Sequence, residues 1–463
     1  MSEHGAGIEE YVARGRSMTA AAARRREIVR ARKFDSIAVH GLYDMDAALS
    51  NQGSIIEPAY LSSAQHFENS DHMEAALAYL MPAWTYSRIA NPTLHYLEET
   101  LALLEGYGFE GEASAVATAS GMAAIFMATN PFLAQPGPSL NVVASARCYG
   151  GTFMLFAERY GKERDIDVRW IPDPLDLEAW ASQIDEHTRF VYGEMPANPT
   201  LSVFDIEAVA RLAHDRGIPL IVDATVATPA LLRPLTLGAD VVIQSLTKSM
   251  TSSGLAVGGA IVARHGIPTT VGPDEMAEDF ATYVKLLPYR DHGPGLSPFN
   301  ALMTLTDVRT LRARMDALSR TSMRVAEFLA GHARVESVLY PGHPGFPGHD
   351  IAARTMWLAD GADDYGEPVN RYGHLLSFTV KGGAQAARDV FDRFDMIWRA
   401  TDLGRIKSVA TIPAISTHQQ QGEDGRRLAS LPANLIRLNV GAEHPADIIA
   451  DLEQALSVLD RRR

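Results

Sequence analysis

Two hydrophobic periods alternate along this chain. Between about residues 113 and 262, short apolar runs bounded by small or polar residues read as buried strands. They are Ala115–Ala119, Leu140–Ala144, Phe190–Tyr192, Ile218–Asp223 and Val241–Ile243. Helical signals fall between them. Ser120-Gly121 opens an Ala-rich stretch, and Cys148-Tyr149-Gly150-Gly151-Thr152 opens another that runs through Phe156. Asp205 caps an amphipathic stretch with Val209 and Leu212, closed by Gly217. Strands separated by helices imply βαβ units and a largely parallel sheet.

On either side of this block the pattern differs. Met73–Tyr79 reads as a short helix. After Asn91-Pro92, with Thr93 as the expected cap, Leu94, Leu97, Leu101 and Leu104 recur at helical spacing until Gly106. Beyond Ser297-Pro298 the pattern becomes one long helix, Met303 to about Gly331. A strand (His374–Val380), a helix (Ala386–Phe394), a strand (Leu435–Val440) and a final helix from Pro445 then form a smaller α/β unit.

Composition narrows the function. The 463 residues are 46% hydrophobic and 21% charged, ample for a large core. The formal net charge of -14 argues against nucleic acid and anionic membrane surfaces. No apolar run reaches the roughly 18 residues of a membrane span. Cys148 is the only cysteine, which excludes an intramolecular disulfide and a thiolate metal site. It is read as a small buried hydrophobe rather than a nucleophile. Ala20–Arg26 has an organelle-leader composition, yet Glu3, Glu9, Glu10 and Glu27 are out of character for one. A helical N-terminal arm and a cytoplasmic location are expected.

The candidate chemistry gathers at strand ends. Val241–Ile243 runs into Ser245-Leu246-Thr247-Lys248, and the preceding strand ends on Asp223-Ala224-Thr225. Ligands of such sheets collect outside the carboxyl ends of the strands. A lysine and a carboxylate there suit pyridoxal phosphate, the lysine forming a Schiff base and the carboxylate keeping the pyridine nitrogen protonated. Ser245 and Thr247 could donate to the phosphate. Ser120-Gly121 at a helix start is a further anion site. Arg88 beside Tyr86 is either a phosphate fork or a surface arginine, and Tyr149 either lies flat on a planar ligand or fills a core. Arg437, inside an apolar strand, calls for a carboxylate partner.

Together these motifs resemble the Cys/Met metabolism family of pyridoxal phosphate enzymes. The matching residues are Tyr86-Ser87-Arg88 with Asn91-Pro92-Thr93, Ser120-Gly121-Met122-Ala123-Ala124-Ile125, Tyr149-Gly150-Gly151-Thr152 and Pro196-Ala197-Asn198-Pro199. The match continues through Asp223-Ala224-Thr225, Ser245-Leu246-Thr247-Lys248 and Arg437-Leu438-Asn439-Val440-Gly441. It runs from about residue 34 to the C-terminus. The resemblance implies an α/β, aspartate aminotransferase-like fold (fold type I), with a large, mostly parallel sheet domain and a smaller C-terminal α/β domain. The implied division is an N-terminal arm (1–33), a segment against the neighbouring subunit (34–90), a cofactor-binding domain (91–300) and a C-terminal domain (301–463).

The resemblance also implies roles. Lys248 binds pyridoxal 5'-phosphate and shuttles protons, and Asp223 pairs with the ring nitrogen. Asn198 bonds the ring hydroxyl, while Tyr149 stacks on the ring and acts as acid/base. Ser120, Gly121, Met122, Thr225, Ser245 and Thr247 belong to the cofactor site. Tyr86 and Arg88 reach the phosphate of a neighbouring subunit in a dimer or tetramer, and Arg437 with Ser408 grips the carboxylate of an amino-acid substrate.

Residues 403–418, with Lys407 before Ser408, look most like O-acetylhomoserine sulfhydrylases. That implies γ-replacement on an activated homoserine, the alternative being a methionine γ-lyase-like elimination. Arg405, in place of a usual aspartate, and Thr251-Ser252-Ser253-Gly254, in place of a His-Gly segment, depart from the family pattern.

Overall fold

The computed structural model describes residues 7–134, 139–361 and 365–461. Seven strands build the large sheet: β1 (Ala113–Thr118), β2 (Asn141–Ser145), β3 (Asp167–Ile171), β4 (Thr188–Glu194), β5 (Leu220–Asp223), β6 (Val241–Gln244) and β7 (Gly259–Arg264). Their order is β1-β7-β6-β5-β4-β2-β3. Only β7 runs against its neighbours, antiparallel to both β1 and β6, so the sheet is mostly parallel as expected. The strand signals found β1, β2, β4, β5 and β6 but not β3 or β7.

Alternate residues of these strands feed two cores. Val143, Val191, Leu220 and Val222 pack into one; Val142, Phe190, Tyr192 and Ile221 pack into the other. Both faces are therefore covered, which is why the strands read as unbroken apolar runs. The polar residues that end β4, β5 and β6 then emerge together along one edge.

The second sheet adds β8 (Val335–Leu339), β9 (Leu375–Val380), β10 (Trp398–Arg399), β11 (Val409–Thr411) and β12 (Leu435–Asn439), ordered β10-β11-β12-β9-β8. The helices Gly383–Phe391 and Pro445–Leu456 cover it. Only β9 and β12 were legible in the sequence.

Several boundaries differ from expectation. The helix before β1 spans Pro92–Glu105, and its cap is Asn91 rather than Thr93. The Asn91 side chain accepts from Thr93 N, and Pro92 takes the first helical position, where no N–H is needed. The short helix is Ser70–Leu77, started earlier by the Asn69 cap. The single long helix is in fact two, Pro298–Val308 and Leu311–Gly331, so the expected boundary at 300/301 falls inside the first. Thr310 leaves helical geometry, and Arg314 there holds the Asp307 carbonyl and the Thr310 hydroxyl.

The N-terminal arm is helical from Ile8 to Arg30 and packs against the rest of the chain. Val29 is buried in the main core, while Arg30 donates to the Phe109 and Gly111 carbonyls. Among the described residues no helix is long and apolar enough to cross a membrane.

Candidate active site

A cavity of about 190 Å³ opens where the carboxyl ends of β4, β5 and β6 face the second sheet. Its walls include eleven of the sequence-predicted residues: Ser120, Gly121, Met122, Tyr149, Asn198, Asp223, Thr225, Ser245, Thr247, Lys248 and Arg437.

One end is an anion cradle. Ser120 caps the helix Gly121–Thr129, its hydroxyl accepting from Ala123 N at 3.1 Å. The Gly121 and Met122 N–H groups are left without an intrahelical acceptor, as at any helix start. Gly121 allows this end to reach the strand opposite, because a Cβ there would lie 2.8 Å from the Ser245 Cβ. Thr225 Oγ1 accepts from Ser245 N at 2.8 Å and so ties the ends of β5 and β6 together.

The middle holds two buried carboxylates on register-paired residues, Glu194 of β4 and Asp223 of β5. Burial raises both, although Thr225 hydrogen-bonds Asp223 and the Tyr192 hydroxyl approaches it at 3.4 Å. A charged carboxylate in such a place favours a cationic partner. Glu194 was missed by sequence reasoning, although it too ends an apolar run. Its two oxygens accept from Tyr149 N at 2.6 Å and Asn198 N at 2.7 Å.

Lys248 sits between this wall and the second sheet. Burial lowers its pKa, while the Asp402 carboxylate, 2.8 Å from Nζ, works in the opposite direction. Asp402, a second residue missed, is itself held by Arg405. Arg405 also donates to the Thr247 and Thr251 carbonyls and lies against Gly254. The two departures from the family pattern are thus one contact.

Arg437 lines the cavity from β12 of the second sheet. The expected carboxylate partner is not what it meets. Nη1 donates to Asn198 Oδ1 at 2.8 Å, and Nη2 to the Asp402 and Thr401 carbonyls at 2.7 and 3.3 Å. Its buried Nε has no hydrogen-bond partner among the described residues. Burial pulls its pKa down to about 10, so it stays charged at neutral pH.

Ser408 is not brought to this cavity. Its hydroxyl donates to Glu443 at 2.8 Å and accepts from Gly441 N at 2.9 Å. Thr411 is the register partner of Arg437, and Ser408 lies three residues before it. With a two-residue period Ser408 therefore faces the other side of the sheet. Tyr86 and Arg88 also lie outside the cavity. Both are surface residues, and Arg88 donates to the Arg290 carbonyl, its guanidinium 5.5 Å from the Tyr86 ring centre. Cys148 is buried, which pushes its thiol up and keeps it inert.

The residues present fit a phosphorylated pyridine aldehyde. The cradle suits a phosphate, the buried Asp223 a protonated ring nitrogen, the Asn198 amide a ring hydroxyl and Lys248 an aldehyde. With its two-sheet architecture, this site defines a pyridoxal phosphate enzyme of the aspartate aminotransferase-like fold (fold type I).

The comparisons with known proteins agree. The family model described as "Cys/Met metabolism PLP-dependent enzyme" matches residues 35–457, and the chain belongs to that family. The chain is 34% identical to the O-acetyl-L-homoserine sulfhydrylase of Corynebacterium glutamicum, covering 92% of this chain and 97% of that protein. It is 37% identical to the cystathionine gamma-synthase of Mycobacterium tuberculosis, over 90% and 95%. A crystal structure of a putative O-acetylhomoserine (thiol)-lyase from Campylobacter jejuni, carrying a pyridoxyl-lysine phosphate, superposes with a TM-score of 0.80 at 31% identity. It covers 92% of this chain and all of that one.

Proposed function

We propose that this enzyme catalyses γ-replacement on an activated homoserine, in the manner of the O-acetylhomoserine sulfhydrylase it resembles. One observation carries the reading. The Lys248 amine and the Arg437 guanidinium line one cavity and both bond Asp402, so an α-amino acid can place its carboxylate at Arg437 and its Cα beside Lys248.

Bound pyridoxal phosphate supplies an electron-withdrawing ring conjugated to the substrate. The rest falls to the chain. Asp223 holds the ring nitrogen charged, and Asn198 fixes the ring hydroxyl. Tyr149, which lines the cavity, would stack on the ring, and its hydroxyl would serve as the acid for the departing γ-group. Lys248 Nζ would take the Cα proton, pass it on, and then take a proton from Cβ, so that the γ-group can leave. The cradle from Ser120 to Met122, with Thr225, Ser245 and Thr247, anchors the phosphate. Arg437 grips the carboxylate without Ser408.

In this reading Tyr86 and Arg88 complete the phosphate site of a neighbouring subunit, so the working unit is a dimer or a tetramer. Their exposure on this chain supports that arrangement. The absence of a membrane-crossing helix among the described residues is compatible with the cytoplasmic location proposed here.

The test is a panel of O-acetylhomoserine, O-succinylhomoserine and methionine, with and without sulfide. Homocysteine formed only with sulfide is the expected result. Steady 2-oxobutanoate and ammonia without any thiol would replace γ-replacement by γ-elimination.

A further inference from the structure

The turn from Asp402 to Arg405 wraps the lysine more closely than carboxylate binding requires. Asp402 Oδ1 takes a hydrogen bond from Lys248 Nζ at 2.8 Å, and its other oxygen takes one from Arg405 Nε. Arg405 is pinned in turn on the Thr247 and Thr251 carbonyls at 2.8 and 2.9 Å, on either side of the lysine. Gly404, at φ +75°, presses on the lysine backbone, where a Cβ would meet Ser249 N at 2.4 Å. Asn439 holds the turn from behind by accepting from Gly404 N at 2.7 Å. A carboxylate, its arginine clamp and the lysine thus form one three-membered chain.

We propose that Asp402 is a positioning residue for Lys248: clamped by Arg405, it keeps the free amine paired and protonated, and so governs how readily that amine captures the cofactor. This rests on Lys248 being the residue that bonds pyridoxal phosphate. Capture needs the neutral amine, which first gives a proton to solvent. Its lone pair then bonds the aldehyde carbon, and the aldehyde oxygen leaves as water. Asp402 opposes the first step. Burial, Arg405 and Arg437 favour it. The other ionisable groups around the lysine are Tyr149, Glu194 and Asp223, on the cavity walls formed by the other strand ends.

The experiment is pyridoxal phosphate uptake by the full-length chain stripped of cofactor, followed by visible absorbance across a pH series. In Asp402→Asn the midpoint of the rate profile moves down by about one pH unit or more, the usual effect of losing a close opposite charge. In Arg405→Gln it moves up, because Asp402 then serves the lysine alone. Asp402→Glu stays near wild type. Opposite shifts from two neighbours in one clamp are not what a merely structural turn produces. An unmoved midpoint in Asp402→Asn, or shifts of the same sign in both variants, overturns the proposal. If Asp402→Asn does not fold, an Arg405→Gln midpoint that fails to rise does so. Lys248→Ala separates the underlying assignment: covalent uptake persisting there would remove Lys248 as the anchor, whatever Asp402 does.

Discussion

The Tyr149 main-chain N–H donates to Glu194 Oε2 at 2.6 Å, so a buried carboxylate at the end of β4 holds the residue that begins the helix after β2. The same carboxylate takes Asn198 N at 2.7 Å. One side chain therefore sets two residues of the cavity wall at once. Glu194→Gln replaces one acceptor oxygen with an NH₂ group that cannot accept. One buried N–H is then left unpaired, at a cost of about 1–3 kcal/mol. Cofactor retention should weaken about tenfold or more, read by equilibrium dialysis of pyridoxal phosphate, with a lower Tm. Unchanged retention would show that Tyr149 and Asn198 hold their places without it.

Lys248→Ala should abolish turnover and the visible band of the covalently bound cofactor, while the phosphate cradle still retains some pyridoxal phosphate. Substantial activity in that variant would end the assignment of Lys248.

Asp223→Ala should lose activity by about 10- to 100-fold, the scale of a lost charge-assisted hydrogen bond. Asp223→Glu should retain more, because it keeps the negative charge beside the ring nitrogen. Equal activity in the two variants would mean that charge is not what matters there.

Acid sensitivity should trace partly to His374. It is fully buried between the Ser249 hydroxyl, 2.7 Å from Nε2, and Asn439 Oδ1, 2.8 Å from Nδ1. Burial pulls its pKa from 6.5 to about 4. Below pH 6.5 the unfolded chain protonates this histidine and the folded chain does not. Stability from this group is complete above that pH and falls by roughly 3 kcal/mol as the pH drops to 4. His95 and His418, pulled down to about 4 by burial, act in the same direction. The fall in Tm between pH 7 and pH 5 should therefore be smaller in His374→Gln than in wild type, without vanishing. An equal fall would acquit His374.

Mixed assembly tests the two surface residues. If Arg88 serves a neighbouring site, Arg88→Ala and Lys248→Ala homodimers are each nearly inactive, and a mixed dimer carries both defects in one site. Co-refolding should restore about a quarter of wild-type activity, given random pairing and independent sites. No recovery, with heterodimers shown to form, would place Arg88 outside the neighbour's site.

Much of this site was legible because its residues follow strands directly. An apolar run that stops on Asp223, or on Ser245-Leu246-Thr247-Lys248, announces itself locally, as does a Ser-Gly helix start. The parallel sheet followed from the same alternation, since strands covered on both faces need continuous apolar runs. What the linear chain could not decide was direction, facing and partnership across distance. The reversed β7 depends on where the chain returns after Gly254. Ser408 looked like a neighbour of Arg437, but strand register turned it toward Glu443. Arg437 met Asn198 and main-chain carbonyls rather than a carboxylate, because a turn 35 residues upstream folds beneath it. Asp402 gave no signal, since its partner Lys248 lies 154 positions away and only the packing of two sheets brings them within 2.8 Å.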